Sequence, residues 1–363
     1  MKKYLPILII LTGFYLFASP SKAFAATCTA ASGTVNWNTV GTWDCAHVPA
    51  AGDDVVVSNA GTVLTLDVSS NSLGSFNMSN GTFNLSSNTI TVDGSSASKQ
   101  WTVSGGTFNA NTSTVVIKDA TAYTVTGSVT FNNLTFTDNC GPGSSSPITV
   151  ASGTTLTVNG TLNFTETTTS CGQGFINGPG TITAKGDITS TLNGFATGAT
   201  SPLVVTISGT GSQILTGDSS GAFDGAHYGG IPGININKST GTLFLKQTIG
   251  IYGDFTYTLG TVDITTNSNT VNFLSVGGSS TTRTISGSLT LSNVGFADAC
   301  ISPTITMASG TTLTVTGTLT FKGLSSCGAA NLNGPGALVA QGNITTTEGG
   351  TGYYAGNVAI TLS

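Results

Sequence analysis

The amino-acid sequence predicts an all-β chain wound as a right-handed parallel β-helix, and three observations carry that expectation. First, Ala151-Ser-Gly-Thr-Thr-Leu-Thr-Val-Asn-Gly-Thr-Leu-Asn-Phe164 returns almost letter for letter as Ala308-Ser-Gly-Thr-Thr-Leu-Thr-Val-Thr-Gly-Thr-Leu-Thr-Phe321, so the chain is a repeat protein. Second, Leu156 and Val158, then Leu162 and Phe164, alternate with Thr and Asn. That pattern describes two very short strands that each turn one apolar face inward, with a Gly at the corner between them. Third, beyond Asp67 apolar triplets recur at short, regular intervals: Phe76-Asn-Met78, Phe83-Asn-Leu85, Ile90-Thr-Val92, Val115-Val-Ile117, Tyr123-Thr-Val125, Val129-Thr-Phe131 and Leu134-Thr-Phe136. Three such triplets and three corners make a coil of about 20 residues, in which each strand pairs with its equivalent one coil away. A string of immunoglobulin-like sandwiches needs longer strands, turn signals every 8–12 residues or so and a domain period near 100. The triplets fit none of these.

Composition agrees with a wall of neutral side chains. Of 363 residues only 7% are charged, 49 are Gly and 38% are apolar, and the apolar residues are regularly spaced, so a continuous core can form where a disordered chain could form none. The formal net charge of −5, with ten Lys plus Arg scattered along the chain, provides no phosphate-tracking groove, and nucleic acid is not an expected partner.

Lys2 and Lys3, the apolar run Tyr4 to Phe17 and the small-residue sequence Ala23-Phe24-Ala25 have the three parts of a secretory signal peptide. Residues 1–25 are read as that leader, and no later segment reaches the length of a membrane span. Removing Lys2, Lys3 and Lys22 takes the formal charge from −5 to −8. Six Cys in an exported chain suggest disulfides. Cys140 and Cys300 share one duplicated context, and Cys171 and Cys327 share another, so the expected pairs are Cys140–Cys171, Cys300–Cys327 and, by remainder, Cys28–Cys45. Zinc is set aside because no Cys-x-x-Cys or His-x-x-x-His spacing occurs, and His47 and His227 are far apart.

Residues 26–70 change character. Trp37 and Trp43 lie close together, with Cys28 and Cys45 around them, followed by Val48-Pro-Ala-Ala-Gly-Asp-Asp-Val-Val-Val57 and Gly61-Thr-Val-Leu-Thr-Leu-Asp67. A solenoid needs an atypical end coil, and two bulky aromatics stapled by a disulfide would supply one. In the order of Trp, Val-Pro, Gly-Asp and a strand ending in Leu-Asp, these residues resemble the opening of G8-type domains and of bacterial surface β-helix proteins. The resemblance covers about forty residues and implies a fold more than an activity.

Residues 71–363 are read as the β-helix, containing one long repeat in two copies, about 102–208 and 256–363. Gly127 matches Gly287, Ile148 matches Ile305, Asn177-Gly-Pro-Gly180 matches Asn333-Gly-Pro-Gly336, and Ser208 matches Ser363. Most of this stretch is similar to repetitive bacterial surface proteins of β-solenoid type. Because Ser363 falls inside a repeat, further coils are expected to follow it.

The two copies act as an internal control on chemistry. Glu166 aligns with Gly323, Lys185 with Gln341, Asp187 with Asn343 and Asp263 with Asn109, while Asp138 and Asp298 keep their charge, each two residues before a Cys. A corner-capping Asp is the simpler reading of that pair. Asp53 and Asp54 after Gly52 are the candidate calcium ligands, although such a pair before a strand is more often a turn. The chain has one Arg, Arg283, whereas a lyase or hydrolase on a β-helix needs clustered carboxylates with a cation to stabilise charge. No catalytic residues, resident metal or cofactor are therefore expected. The sequence reads as an extracellular or bacterial cell-surface scaffold of adhesion type, with extracellular carbohydrate or other surface proteins as partners. A carbohydrate-active enzyme on a β-helix is the alternative. Ice binding is a third reading, carried by the pairs Thr155/Thr157 and Thr312/Thr314 if such pairs stack from coil to coil at about 4.8 Å.

Overall fold

The computed structural model describes residues 25–96, 100–119, 123–138, 148–166, 176–191, 203–217, 230–266, 269–276, 282–299, 305–323, 332–347 and 356–363. The alternating triplets form strands as expected, among them Ser75–Met78, Thr82–Asn84, Thr89–Val92 and Thr155–Val158. Among the described residues every pairing between strands is parallel and joins one coil to the next, for example Leu156↔Ile182 and Leu162↔Ile188, with one isolated antiparallel bridge at Ala30↔Trp43. The result is a β-solenoid of about ten turns. Inward positions in both copies are sealed from water: Leu156, Val158, Leu162 and Phe164 are fully buried, as are Leu313, Val315 and Leu319. Rings stack where equivalent positions repeat, with centroids 5.8 Å apart for Phe136 and Phe164, and 5.4 and 5.6 Å apart along Phe273, Phe296 and Phe321. Each fully buried side chain of this size contributes about 1.5–3 kcal/mol.

The opening residues are already part of the winding. Thr27–Thr29 pairs with Asp54–Val57 on one wall and Gly33–Asn36 with Thr62–Thr65 on the next, so the stretch read as a cap includes the first coil. Trp37 and Trp43 pack edge to face at 4.9 Å, and the Trp43 indole N–H donates to the Trp37 carbonyl at 2.8 Å. Trp37 in turn stacks on Phe83 at 6.0 Å. Cys28 and Cys45 form the expected disulfide, their Cα atoms 5.0 Å apart. Cys140, Cys171, Cys300 and Cys327 lie outside the described residues, as does the stretch read as a leader up to Phe24.

The two copies keep the same internal pairing but do not sit on the same walls. Strand Tyr123–Thr126 continues the wall that begins at Thr27–Thr29, whereas its counterpart Arg283–Ser286 continues the wall of Thr155–Val158, Thr181–Ala184 and Val204–Ile207. The second copy is therefore advanced by one wall around the axis. The segment between them holds the 19-residue strand Gly233–Ile251, whose successive parts pair with Val204–Ile207, Gln213–Thr216 and Asn269–Phe273. Gly241 and Gln247, at φ of 75° and 66°, mark where this extended run turns its corners.

Candidate functional site

Because side chains alternate across each strand, the register that buries Leu and Val also lines up polar residues outside. On one wall Thr130, Thr157, Thr183, Thr206, Asn235, Thr256 and Ser286 occupy consecutive rungs. Neighbouring rungs share hydrogen bonds directly: the Thr155 and Thr181 hydroxyls are 3.1 Å apart, Thr320 and Thr345 3.0 Å, and Thr149 donates to Asn177 Oδ1 at 2.8 Å. The Thr155–Thr181 column is short, since Thr181 is followed by Val204 and then Gly233.

The N-terminal corner gathers Cys28, Cys45 and His47, whose ligand-type atoms lie within 4.8 Å of one another. The sequence reading paired Cys28 with Cys45 but did not place His47 beside them. The two sulfurs are bonded to each other, and His47 Nδ1 lies 3.0 Å from the Val48 carbonyl and 3.6 Å from Asp53 Oδ2. Asp53 is buried and shares its carboxylate between two backbone amides, Ala26 N–H on Oδ1 and Ala50 N–H on Oδ2, both at 2.8 Å. Asp54 Oδ1 accepts from the Ser75 hydroxyl at 2.6 Å. These contacts tie the turn to the entering chain and to the next coil.

Arg283 lies near Asp254, and burial pushes its guanidinium below the ordinary arginine value while Asp254 acts the other way. Asp254 also accepts from the Thr284 amide at 2.8 Å. Asp138 and Asp298 sit in strands Asn133–Asp138 and Asn293–Ala299. The register sets Asp119, Asp138 and Glu166 on three successive rungs, while the second copy has Ser275, Asp298 and Gly323 there. This acidic column could not be read from the sequence because it depends on corner lengths. His227 lies outside the described residues.

Asp263, at the exposed end of strand Phe255–Asp263, accepts from the Thr265 and Thr266 amides at 2.7 and 3.0 Å and from both of their hydroxyls. Hydrogen bonding to the ionised form, that from the Thr266 side chain first, holds its pKa at about 2. The folded value is below the unfolded one. The contribution of Asp263 is therefore complete above the ordinary carboxylate range and is lost as pH falls through about 2. A carbon-detected NMR titration is expected to show this midpoint, and Thr266→Val should raise it. An Asp263 midpoint unchanged in that variant would refute the assignment.

Compared with known proteins, the chain matches no family model, no curated protein and no solved structure.

Proposed function

We propose that this chain is a secreted or cell-surface structural β-solenoid of adhesion type, working through its outer walls rather than through catalysis. The observation that carries the reading is the seven-rung column from Thr130 to Ser286, a ladder of neutral hydroxyls and amides repeating from coil to coil. Such groups donate and accept at the same site, which suits hydrogen bonding to sugars or to neighbouring polar chains. The low charge, the leader-like opening and the Cys28–Cys45 bond support an extracellular setting. The G8-like opening supports a bacterial surface protein in particular. Several of the charged groups are held in local roles: Asp53, Asp54, Asp263 and Lys238 each bond to nearby backbone or side-chain groups.

The expected result is that polygalacturonate, alginate and hyaluronan incubated with the purified protein gain no new chain ends. Cleavage that disappears on replacing Asp138, Glu166, Asp298 or Arg283 would instead establish the enzyme alternative. Ice binding keeps one specific observation in its favour, the two-by-two array of Thr155, Thr157, Thr181 and Thr183. Thermal hysteresis that Thr157→Val and Thr183→Val remove would select it.

A further inference from the structure

Among the described residues a solenoid wall is interrupted in each copy at equivalent positions. In the first copy, among the described residues, Thr107–Asn109 pairs only with Thr82–Asn84, and Val129–Phe131 pairs only with Thr155–Val158. In the second, among the described residues, 261–263 pair only with 242–244, and Leu289–Leu291 pairs only with Thr312–Val315. In both copies a glycine lies just before the strand beyond the gap. A Cβ on Gly127 would lie 1.9 Å from the Val103 carbonyl oxygen, and one on Gly287 would lie 2.0 Å from that of Tyr257.

What fills the gap differs. In the first copy Phe108 and Phe131 pack edge to face at 5.7 Å, with Trp101 at 5.8 Å from each of them, and close it with rings. In the second copy the residues aligned with Phe108, Phe131 and Trp101 are Val262, Leu291 and Phe255. Phe255 and Leu291 stay in the interior, but Val262, where the ring is lost, lines an open groove of about 390 Å³, a size within the roughly 300–1,000 Å³ of small-ligand sites. Tyr257, aligned with Val103, stands in it and is held by its hydroxyl donating to the Gly260 carbonyl at 2.6 Å.

We infer that this groove is a binding subsite for a neutral saccharide. Tyr257, Val262 and Leu289 offer an aromatic and aliphatic surface for the C–H faces of a sugar, while Thr290, Thr312 and Thr314 bring hydroxyls to its rim. Among the described residues none of those three hydroxyls is committed to a bond within the chain, so each can donate and accept. Among the described residues no charged side chain lines the groove. The neighbouring Asp263 carboxylate is occupied by Thr265 and Thr266. The lining thus favours a ligand with hydroxyls and apolar faces over an ionic one. The inference deepens the surface-protein reading above and rests on it.

The test uses the whole chain and soluble neutral oligosaccharides, the gluco-, manno-, xylo- and chito-oligomers, followed by calorimetry and tyrosine fluorescence. At least one series should bind, and Tyr257→Ala or the pair Thr290→Val and Thr314→Val should weaken it at least tenfold. Val262→Phe, which installs the ring found in the first copy, should abolish binding while leaving the circular dichroism spectrum unchanged. Binding that survives Val262→Phe overturns the site but leaves the surface reading standing. Cleavage of the oligosaccharides by the unmodified protein overturns the surface reading itself. Failure of all four series to bind, or capture of an unstructured peptide at the groove in their place, refutes the saccharide assignment.

Discussion

Gly127→Ala will destabilise the protein by about 2–5 kcal/mol, of which about 1–2 comes from a left-handed backbone and about 1–3 from overpacking. Gly127 has φ of 96°, and the added carbon would lie 1.9 Å from the Val103 carbonyl oxygen and 2.7 Å from its carbon. Those are backbone atoms of the adjacent coil, so they can yield only if strand Gln100–Val103 moves away from Tyr123–Thr126, with which it is paired. Gly287 repeats the geometry, at φ of 85° with the Tyr257 oxygen 2.0 Å away. Gly153 provides the control, since its φ is 74° but nothing lies within 4 Å of its Cβ position. Gly153→Ala should therefore cost only the conformational part, about 1–2 kcal/mol. Urea midpoints for the two variants should separate clearly. Equal shifts would mean that the close approach of coils at Gly127 is not what requires glycine there.

Lys238→Met is expected to cost about 2–4 kcal/mol. Lys238 is 1% exposed, and its ammonium donates to the Gly209 carbonyl at 2.6 Å, the Gly211 carbonyl at 2.9 Å and Gln213 Oε1 at 2.6 Å. Gln213 is buried too, and its amide donates to the Ala184 and Gly186 carbonyls at 3.2 and 2.6 Å. Lys238 and Gln213 together thereby link three coils. Bonds to a charged donor contribute about 1.5–3 kcal/mol each, and the relief of desolvating an ammonium offsets part of their loss. The double variant Lys238→Met, Gln213→Leu should cost less than the sum of the singles, because the two groups satisfy each other. Burial lowers the Lys238 pKa from its ordinary value. In the window between the folded and the unfolded pKa the unfolded chain holds more protons, so stability rises with pH there. Lys238→Met should remove that slope from stability measured in alkaline buffers, and an unchanged slope would assign it to another group.

The coil itself was legible in the sequence because its signal is local. Alternation of period two at Leu156, Val158, Leu162 and Phe164 decides which side chains face inward wherever the strand is placed, and all four are buried. Duplication reinforced it, since Leu313, Val315, Leu319 and Phe321 occupy equivalent inward positions. Asp53, by contrast, was read with Asp54 as a calcium candidate or a turn. Its bond to Ala50 is that local turn, three residues back, but its bond to Ala26 depends on a chain segment 27 residues away being laid beside it.

The sequence by itself thus determined the solenoid class, the short strands, the inward residues and the pairing of Cys28 with Cys45. Only the tertiary structure decided that the opening residues form the first coil, that the second copy advances by one wall, that Lys238 is buried, and that Asp119, Asp138 and Glu166 share a column. It also decided that the wall is open at Val262 but closed at Phe108. The physical reason is common to all of these. Strand pattern states which face of a strand is apolar, but the rung and wall on which a residue lands are set by the accumulated lengths of corners and by packing between coils. Neither leaves a periodic trace in the chain.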